Sequence, residues 1–165
     1  MTTKGLTVSK IKSARPPEAF TEVNRWVLDS VDGLARLRGA LFLELTGTPY
    51  VGTSSLDEVP EKMVLVTSEL ATNALRHGKP PTIVTLMGYD GEHLLDVADH
   101  DVSSVPALAE GREPGEGGFG LLLAQQLALD VGWYVSDTTK HIWARFLAEE
   151  PSAAETPEDP AVAQA

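Results

Sequence analysis

A helix that stops abruptly, with a β-hairpin directly behind it, limits the folds open to this 165-residue chain. Residues 61–78, "EKMVLVTSELATNALRHG", are mostly good helix formers, and Gly78 followed by two prolines is a typical helix end. The next two runs, "TIVTLMG" and "HLLDVAD", are rich in β-branched and aliphatic residues and flank Asp90-Gly91, a pair that suits a tight turn. The pattern predicts a helix beside a strand pair.

The same order of helix and strand pair recurs towards the C-terminus. "FGLLLAQQLALD" has the pattern of a helix, and "VGWYVSD" and "HIWARFL" have the pattern of a second strand pair. Upstream, apolar residues at steps of three and four predict helix over residues 18–47, which Gly33 would divide into two helices. They are Phe20, Val23, Trp26, Val27, Val31, Leu34, Leu37, Leu41 and Leu45. We predict an α/β (α+β) two-layer sandwich with helices on one face of a mixed, mainly antiparallel sheet.

Composition predicts one domain between two tails. With 42% hydrophobic residues, the chain is large enough to close a core without disulfides. Residues 1–17 are polar and basic, and residues 149–165 are rich in Pro, Ala and acidic residues. We therefore expect disordered tails at 1–17 and 149–165 and a single domain at 18–148.

Several classes of function are disfavoured by composition. The chain has no cysteine, which excludes disulfides and thiolate metal sites. No apolar run reaches the roughly 18 residues of a membrane span, and the first residues lack the apolar core of a signal peptide. The formal net charge of -11 opposes direct binding to nucleic acid. We expect a cytoplasmic protein with neither membrane nor nucleic acid as a partner.

The predicted helix at 61–78 carries a polar stripe. Glu69, Asn73 and His77 follow one another at steps of four and so lie on one face. Taken alone, such a pattern is more often a solvated stripe than a site.

Two other features are compatible with a ligand, although each also has a purely structural interpretation. Gly115, Gly117, Gly118 and Gly120 precede an apolar helix, where free backbone N–H groups can hold phosphate oxygens. A flexible loop entering a helix would favour the same glycines. Asp99 ends the strand "LLDVAD", where its carboxylate can accept a hydrogen bond from an exocyclic amine, or simply begin a turn.

In this order the motifs resemble those of the GHKL ATPase superfamily, which includes gyrase-type ATPases, heat-shock chaperones, histidine kinases and mismatch-repair ATPases. "ELATNALRHG" corresponds to the N-box, "VADHD" to the first glycine box, "GEGGFGL" to the second and "HIWARF" to the terminal strand. Within the superfamily the chain is most similar to the small bacterial anti-sigma-factor serine/threonine kinases. The resemblance covers roughly residues 59–147.

The resemblance implies a set of roles in binding ATP and Mg²⁺. Asn73 would hold Mg²⁺ at the phosphates, Glu69 would act as general base, and Asp99 would read adenine. The phosphates would be cradled by Gly115, Gly117, Gly118 and Gly120 beneath an ATP lid, "SSVPALAEGREP". We expect His77 to cap or close the helix near the site. Arg76 and Lys140 could approach phosphate, but each is more often a solvated surface charge, and we assign a role to neither.

The resemblance implies an ATP-binding regulatory kinase that phosphorylates an anti-sigma antagonist protein and sequesters a sigma factor. It also allows a homodimer, with the N-terminal helix as contact surface. The alternative is a non-catalytic nucleotide-binding interaction module of the same fold. Asp101 favours the alternative, because it adds a carboxylate where the first glycine box normally has glycine, whereas Glu69 beside Asn73 opposes it. The ATPase half of a sensor histidine kinase is a third, weaker interpretation.

Overall fold

We describe residues 11–52, 57–103 and 119–148 of the protein in a computed structural model. This part of the chain is an α+β fold with three α-helices and one six-stranded mixed sheet. In chain order the elements are β1 Lys12–Ser13, β2 Thr21–Leu28, α1 Leu34–Thr46, α2 Val59–His77, β3 Thr82–Tyr89, β4 Glu92–Asp99, α3 Phe119–Leu127, β5 Asp130–Ser136 and β6 Thr139–Leu147. A single 3-10 turn, Val31–Gly33, leads into α1. The predicted fold class is confirmed.

The sheet has the strand order β1-β5-β6-β4-β3-β2. The pair β1 and β5 is parallel, and all other neighbours are antiparallel. Asp90 and Gly91 join β3 to β4 with φ of 51° and 77°, the left-handed geometry that a two-residue hairpin turn needs. Both predicted strand pairs are present, and β4 and β6 lie side by side in the middle of the sheet.

The main hydrophobic core lies between the helices and one face of the sheet. Buried apolar side chains from all three helices pack there against alternate residues of the central strands. They include Leu37 and Leu41 of α1, Met63, Val66 and Leu70 of α2, Leu121 and Ala124 of α3, and Val84, Leu86, Leu95, Val97, Ala144 and Phe146 of the sheet. None of the helices in the described residues is long and apolar enough to cross a membrane.

The helix predicted from residue 18 onwards is wrong in its first half. Residues 21–28 form β2, an edge strand, and α1 begins only at Leu34. The steps from Val23 to Trp26 and Val27 fit a helix, but burial in β2 does not follow them: Val27 is 58% exposed, whereas Trp26 packs on the core. Pairing of β2 with β3 and the strand preference of β-branched and aromatic residues override the helical spacing.

The second face of the sheet, opposite the helices, is crossed by residues 14–20. This crossing segment joins β1 at one edge of the sheet to β2 at the other. Trp143 Nε1 donates a hydrogen bond to the carbonyl oxygen of Ala14 at 2.8 Å, and Phe20 packs with Leu94 and Trp143. The predicted N-terminal tail, residues 1–17, thus includes a stretch that pairs with the sheet and lies across it, while residues 1–10 and 149–165 fall outside the described residues.

A polar network lies on the same second face. Asp96 Oδ1 is 2.7 Å from His141 Nδ1, and the Tyr134 hydroxyl donates to Asp96 Oδ2 at 3.3 Å. Thr139 Oγ1 lies 2.8 Å from His141 Nε2, and Arg15 stands over the Tyr134 ring at 4.5 Å. Burial, together with the charge of Asp96 and its hydrogen bond, raises the pKa of Tyr134 to about 12. These polar groups therefore find their partners within the protein.

Candidate functional site

The polar stripe of α2 lies beside the core rather than in it. The buried positions of α2 are apolar apart from Thr67, whereas Glu69 and Asn73 are half-buried on its flank. His77, the last residue of α2, is exposed, and the helix is closed by the Gly78 N–H, which donates to the Ala74 carbonyl at 2.9 Å. This bond comes from the backbone of Gly78, and His77 is a basic residue in the last turn of α2, so a capping role of its side chain stays a prediction.

Gly120, in the first turn of α3, packs directly on this stripe. A Cβ atom at residue 120 would lie 3.1 Å from the Glu69 carbonyl carbon, 3.2 Å from Glu69 Cβ and 3.2 Å from Asn73 Nδ2. Only a residue without a side chain fits this close approach unchanged. The N-terminal end of α3 therefore meets Glu69 and Asn73, which brings one of the predicted phosphate-binding glycines to the two predicted polar residues.

Asp99 closes the other end of the stripe. Its side chain is buried against Gly78, where an added Cβ would lie 2.5 Å from Asp99 Cγ and Oδ2. The His100 N–H donates to the Lys79 carbonyl at 2.9 Å, which ties the end of β4 to the end of α2. Asn73 and Gly78 are separated by about 7.5 Å along the helix axis, so the carboxylate of Asp99 and the amide of Asn73 are held at a distance set by α2.

Asp101 forms part of its own loop. Its Oδ1 accepts hydrogen bonds from Ser103 Oγ at 2.6 Å and from the Ser103 N–H at 3.1 Å, and its own N–H donates to Asp99 Oδ1 at 2.6 Å. These bonds make two successive side-chain turns after β4. The charge that the sequence places in the first glycine box is thus engaged by the following serine.

The other predicted site residues fall outside the described part of the chain. Gly115, Gly117 and Gly118 lie there, as does the predicted lid apart from Ser103.

Sequence reasoning missed two buried polar residues that lie level with Asp99. Lys140, to which the sequence assigned no role, is only 8% exposed and is the cross-strand partner of Asp99. Thr82 is fully buried, and its hydroxyl has no hydrogen-bond partner among the described residues. Lys140 is not the solvated surface charge that is more usual for a lysine, because the strand register turns its side chain towards the helices. Alternation along "TTKHIWARF" is the one signal that would have found it, since Ile142 and Ala144 share its face.

Neither family models nor curated proteins give a match to this chain.

The arrangement suits a ligand with an anionic end and a polar planar end. A helix N-terminus attracts anions through its free N–H groups and its dipole, and here it meets an amide and a carboxylate side chain. Among the described residues, no three His, Cys, Asp or Glu side chains come together as a metal site. A Mg²⁺ ion would therefore need phosphate oxygens and water beside Asn73, and that is the usual way in which Mg²⁺ is held at nucleotides. The residues present fit this group.

Proposed function

We propose that the protein is an ATP-binding regulatory kinase of the GHKL type, which phosphorylates an anti-sigma antagonist protein and sequesters a sigma factor in the cytoplasm. The observation that carries the proposal is the contact of Gly120 with Glu69 and Asn73. It joins the second glycine box to the N-box through residues that are more than 40 positions apart in sequence, at a helix end suited to phosphate.

Asp99 and Gly78 support the adenine-binding part of the proposal. The Asp99 carboxylate is buried and has one oxygen engaged by the Asp101 N–H. A buried carboxylate is a strong acceptor, and the exocyclic amine of adenine would supply a donor. Gly78 holds the helix end close to this carboxylate because it has no side chain to interfere.

Glu69 and Asn73 would divide the chemistry of transfer. Mg²⁺ bound at Asn73 would neutralise charge on the phosphates. Glu69 lies one turn before Asn73 on the same flank, where its carboxylate can accept the proton of an incoming serine or threonine hydroxyl. Asn73 would orient the phosphates, so the two residues have separable effects on binding and on transfer.

The regulatory part of the proposal rests on the resemblance of the motifs. The net charge of -11 is compatible with a partner that is a protein rather than nucleic acid. A homodimer would use a surface other than the long N-terminal helix, because β2 replaces the first half of that helix. The alternative is a nucleotide-binding interaction module without catalysis, and its main support is Asp101, whose carboxylate Ser103 holds in the loop after β4.

The first experiment is a calorimetric titration of the full chain with ATP and ADP, with and without Mg²⁺. We expect Mg²⁺-dependent binding of ATP, and we expect Asn73→Ala to abolish the Mg²⁺-dependent part because the amide ligand is gone. Arg76→Ala is the matched control, since Arg76 is exposed on the same helix. If wild-type protein binds no ATP at millimolar concentration, the proposal is wrong.

A second variant separates the kinase from the interaction module. We expect Glu69→Gln to bind Mg²⁺-ATP within about twofold of wild type but to transfer phosphate to a protein acceptor at least 100-fold more slowly, because the amide cannot take the proton. Phosphate transfer from radiolabelled ATP to candidate antagonist proteins measures this. Transfer at the wild-type rate would remove the general-base role, and no transfer by wild-type protein to any antagonist would favour the interaction module.

A further inference from the structure

Lys140 stands directly opposite Asp99, at one end of the two central strands of the sheet. The two residues are register partners in the antiparallel pair of β4 and β6, so their Cβ atoms lie roughly 5 Å apart on the same face. That face is the one under the helices, since Ile142, Ala144 and Phe146 of β6 contribute to the main core from it. Lys140 therefore lies at the same end of the site as the residue proposed to bind the base.

Burial of this lysine is unusual for its residue type. Lys140 is 8% exposed and Asp99 is 6% exposed, although lysine and aspartate are almost never fully buried unless their charges are paired. A lysine ammonium group has three N–H donors, so it can bind an acceptor of the protein and still donate a hydrogen bond to a ligand.

Thr82 extends the row by one more strand. Ile83 pairs with Ala98, so one step further along the antiparallel ladder Thr82 stands on the other side of Asp99. The Thr82 side chain is completely buried, and its hydroxyl makes no hydrogen bond within the part of the chain that the structure describes. A buried hydroxyl without a partner is destabilising because it has lost its hydrogen bonds to water. The row Thr82, Asp99 and Lys140 thus combines an acceptor, a cationic donor and an unused hydroxyl across three adjacent strands.

We propose that Lys140 is a specificity-determining residue of the nucleotide site, which donates a hydrogen bond to ring nitrogen N1 of a 6-aminopurine whose exocyclic amine is held by Asp99. The inference rests on the proposed function. Adenine carries a donor at position 6 beside an acceptor at N1, which complements a carboxylate beside an ammonium group. Guanine in the same orientation carries the reverse pattern, with a carbonyl oxygen towards Asp99 and an N–H towards Lys140. The pair therefore selects ATP and rejects GTP.

The test combines a variant of Lys140 with an ATP analogue that lacks N1, the atom that Lys140 is proposed to bind. Wild-type protein and Lys140→Met are titrated with ATP, 1-deaza-ATP and GTP in the presence of Mg²⁺. We expect wild-type protein to bind 1-deaza-ATP, which lacks N1, roughly 10- to 100-fold more weakly than ATP, the range of one hydrogen bond to a charged group. Lys140→Met should bind ATP and 1-deaza-ATP with equal affinity, close to the affinity of wild-type protein for 1-deaza-ATP. Its preference for ATP over GTP should be smaller than that of wild-type protein.

Controls keep the test independent of folding. Lys79→Met removes an exposed lysine at the end of α2 and should keep the wild-type preference among the three nucleotides. Lys140→Gln retains a neutral donor and should recover part of the loss. Thermal unfolding and titration with inorganic tripolyphosphate report whether the Lys140 variants keep the fold and the phosphate end of the site.

The outcomes separate the two proposals. If wild-type protein binds ATP with a dependence on Asn73 but Lys140→Met still distinguishes ATP from 1-deaza-ATP, the role of Lys140 is refuted and the proposed function stands. If Lys140→Met weakened the binding of tripolyphosphate as much as the binding of ATP, the lysine would bind phosphate, and this outcome also refutes the inference. If wild-type protein binds no ATP, both proposals fail.

Discussion

The two faces of the sheet hold their polar residues in opposite ways. In the described part of the sheet, the face under the helices is mostly apolar, with His93 at one end and Thr82, Asp99 and Lys140 side by side at the other. The Thr82 hydroxyl has no hydrogen-bond partner among the described residues. On the second face, Asp96 and His141 bond to each other, with Tyr134 and Thr139 completing the network. Polar groups that bond to one another stabilise a fold, whereas a buried polar group without a partner requires an explanation, such as a ligand or a water molecule. Under the proposed function, the second face is structural and the end of the first face that carries Asp99 binds the ligand.

The largest expected effect comes from adding a side chain at Gly132. A Cβ at residue 132 would lie 2.5–2.9 Å from the Trp143 ring, so Gly132→Ala must displace a fully buried indole on the second face. We expect a loss of about 2–3 kcal/mol in the free energy of unfolding. Because this face is structural, ATP affinity at a temperature where the variant is folded should stay within about twofold of wild type. Urea unfolding and calorimetry measure the two effects.

Gly88→Ala is the matched control for Gly132→Ala. Its added Cβ would have its nearest contact, Val23 Cγ2, at an ordinary 3.4 Å, so the loss of stability should be smaller. Equal losses in the two variants would mean that a glycine-to-alanine change in any strand, rather than the Trp143 contact, sets the effect.

Two aspartates in β4 allow a direct test of the comparison between the faces. Asp96→Asn removes a charged acceptor from both His141 and Tyr134, and we expect it to lower the free energy of unfolding by about 1–3 kcal/mol. Asp99→Asn should lower ATP affinity by roughly 10- to 100-fold, because the amide replaces the carboxylate that is proposed to accept a hydrogen bond from the base. Thermal unfolding and ATP titration of both variants measure this.

Each of these aspartate variants is the control for the other. The comparison between the faces requires Asp96→Asn to keep ATP affinity and Asp99→Asn to keep most of its stability. If Asp96→Asn weakened ATP binding as much as Asp99→Asn did, the division of roles between the faces would be wrong.

The smallest expected effect is a loss of stability at acidic pH that arises from His93, on the helix side of the sheet. Burial lowers the pKa of His93, with Glu44 opposing the shift, and the His93 Nδ1 atom has no hydrogen-bond partner. The unfolded chain therefore takes up a proton as pH falls below about 6.5, before the folded protein does, so stability decreases through that range. Urea unfolding at pH 7.5 and 5.5 should show a smaller loss in His93→Gln than in wild type, and an identical loss would contradict this source of acid sensitivity.

Local patterns were sufficient for the second half of the fold. The stop at Gly78, the Asp90-Gly91 turn and the alternating runs on either side of it predicted α2, β3 and β4, because each depends on interactions between near neighbours in sequence. The first half failed at β2, since three apolar residues at helical spacing also occur in a strand. Only pairing with β3 decides between the two.

The candidate site also has features that local sequence predicts and features that it does not. The spacing of Glu69 and Asn73 and the glycines before α3 follow from sequence alone, because helix periodicity and backbone freedom are local properties. The contact of Gly120 with that stripe, the burial of Lys140 opposite Asp99 and the path of residues 14–20 across the second face depend on which strands become neighbours. Strand order is a property of the whole core, since it is set by the burial of apolar faces from distant segments, and so only the tertiary structure decided it.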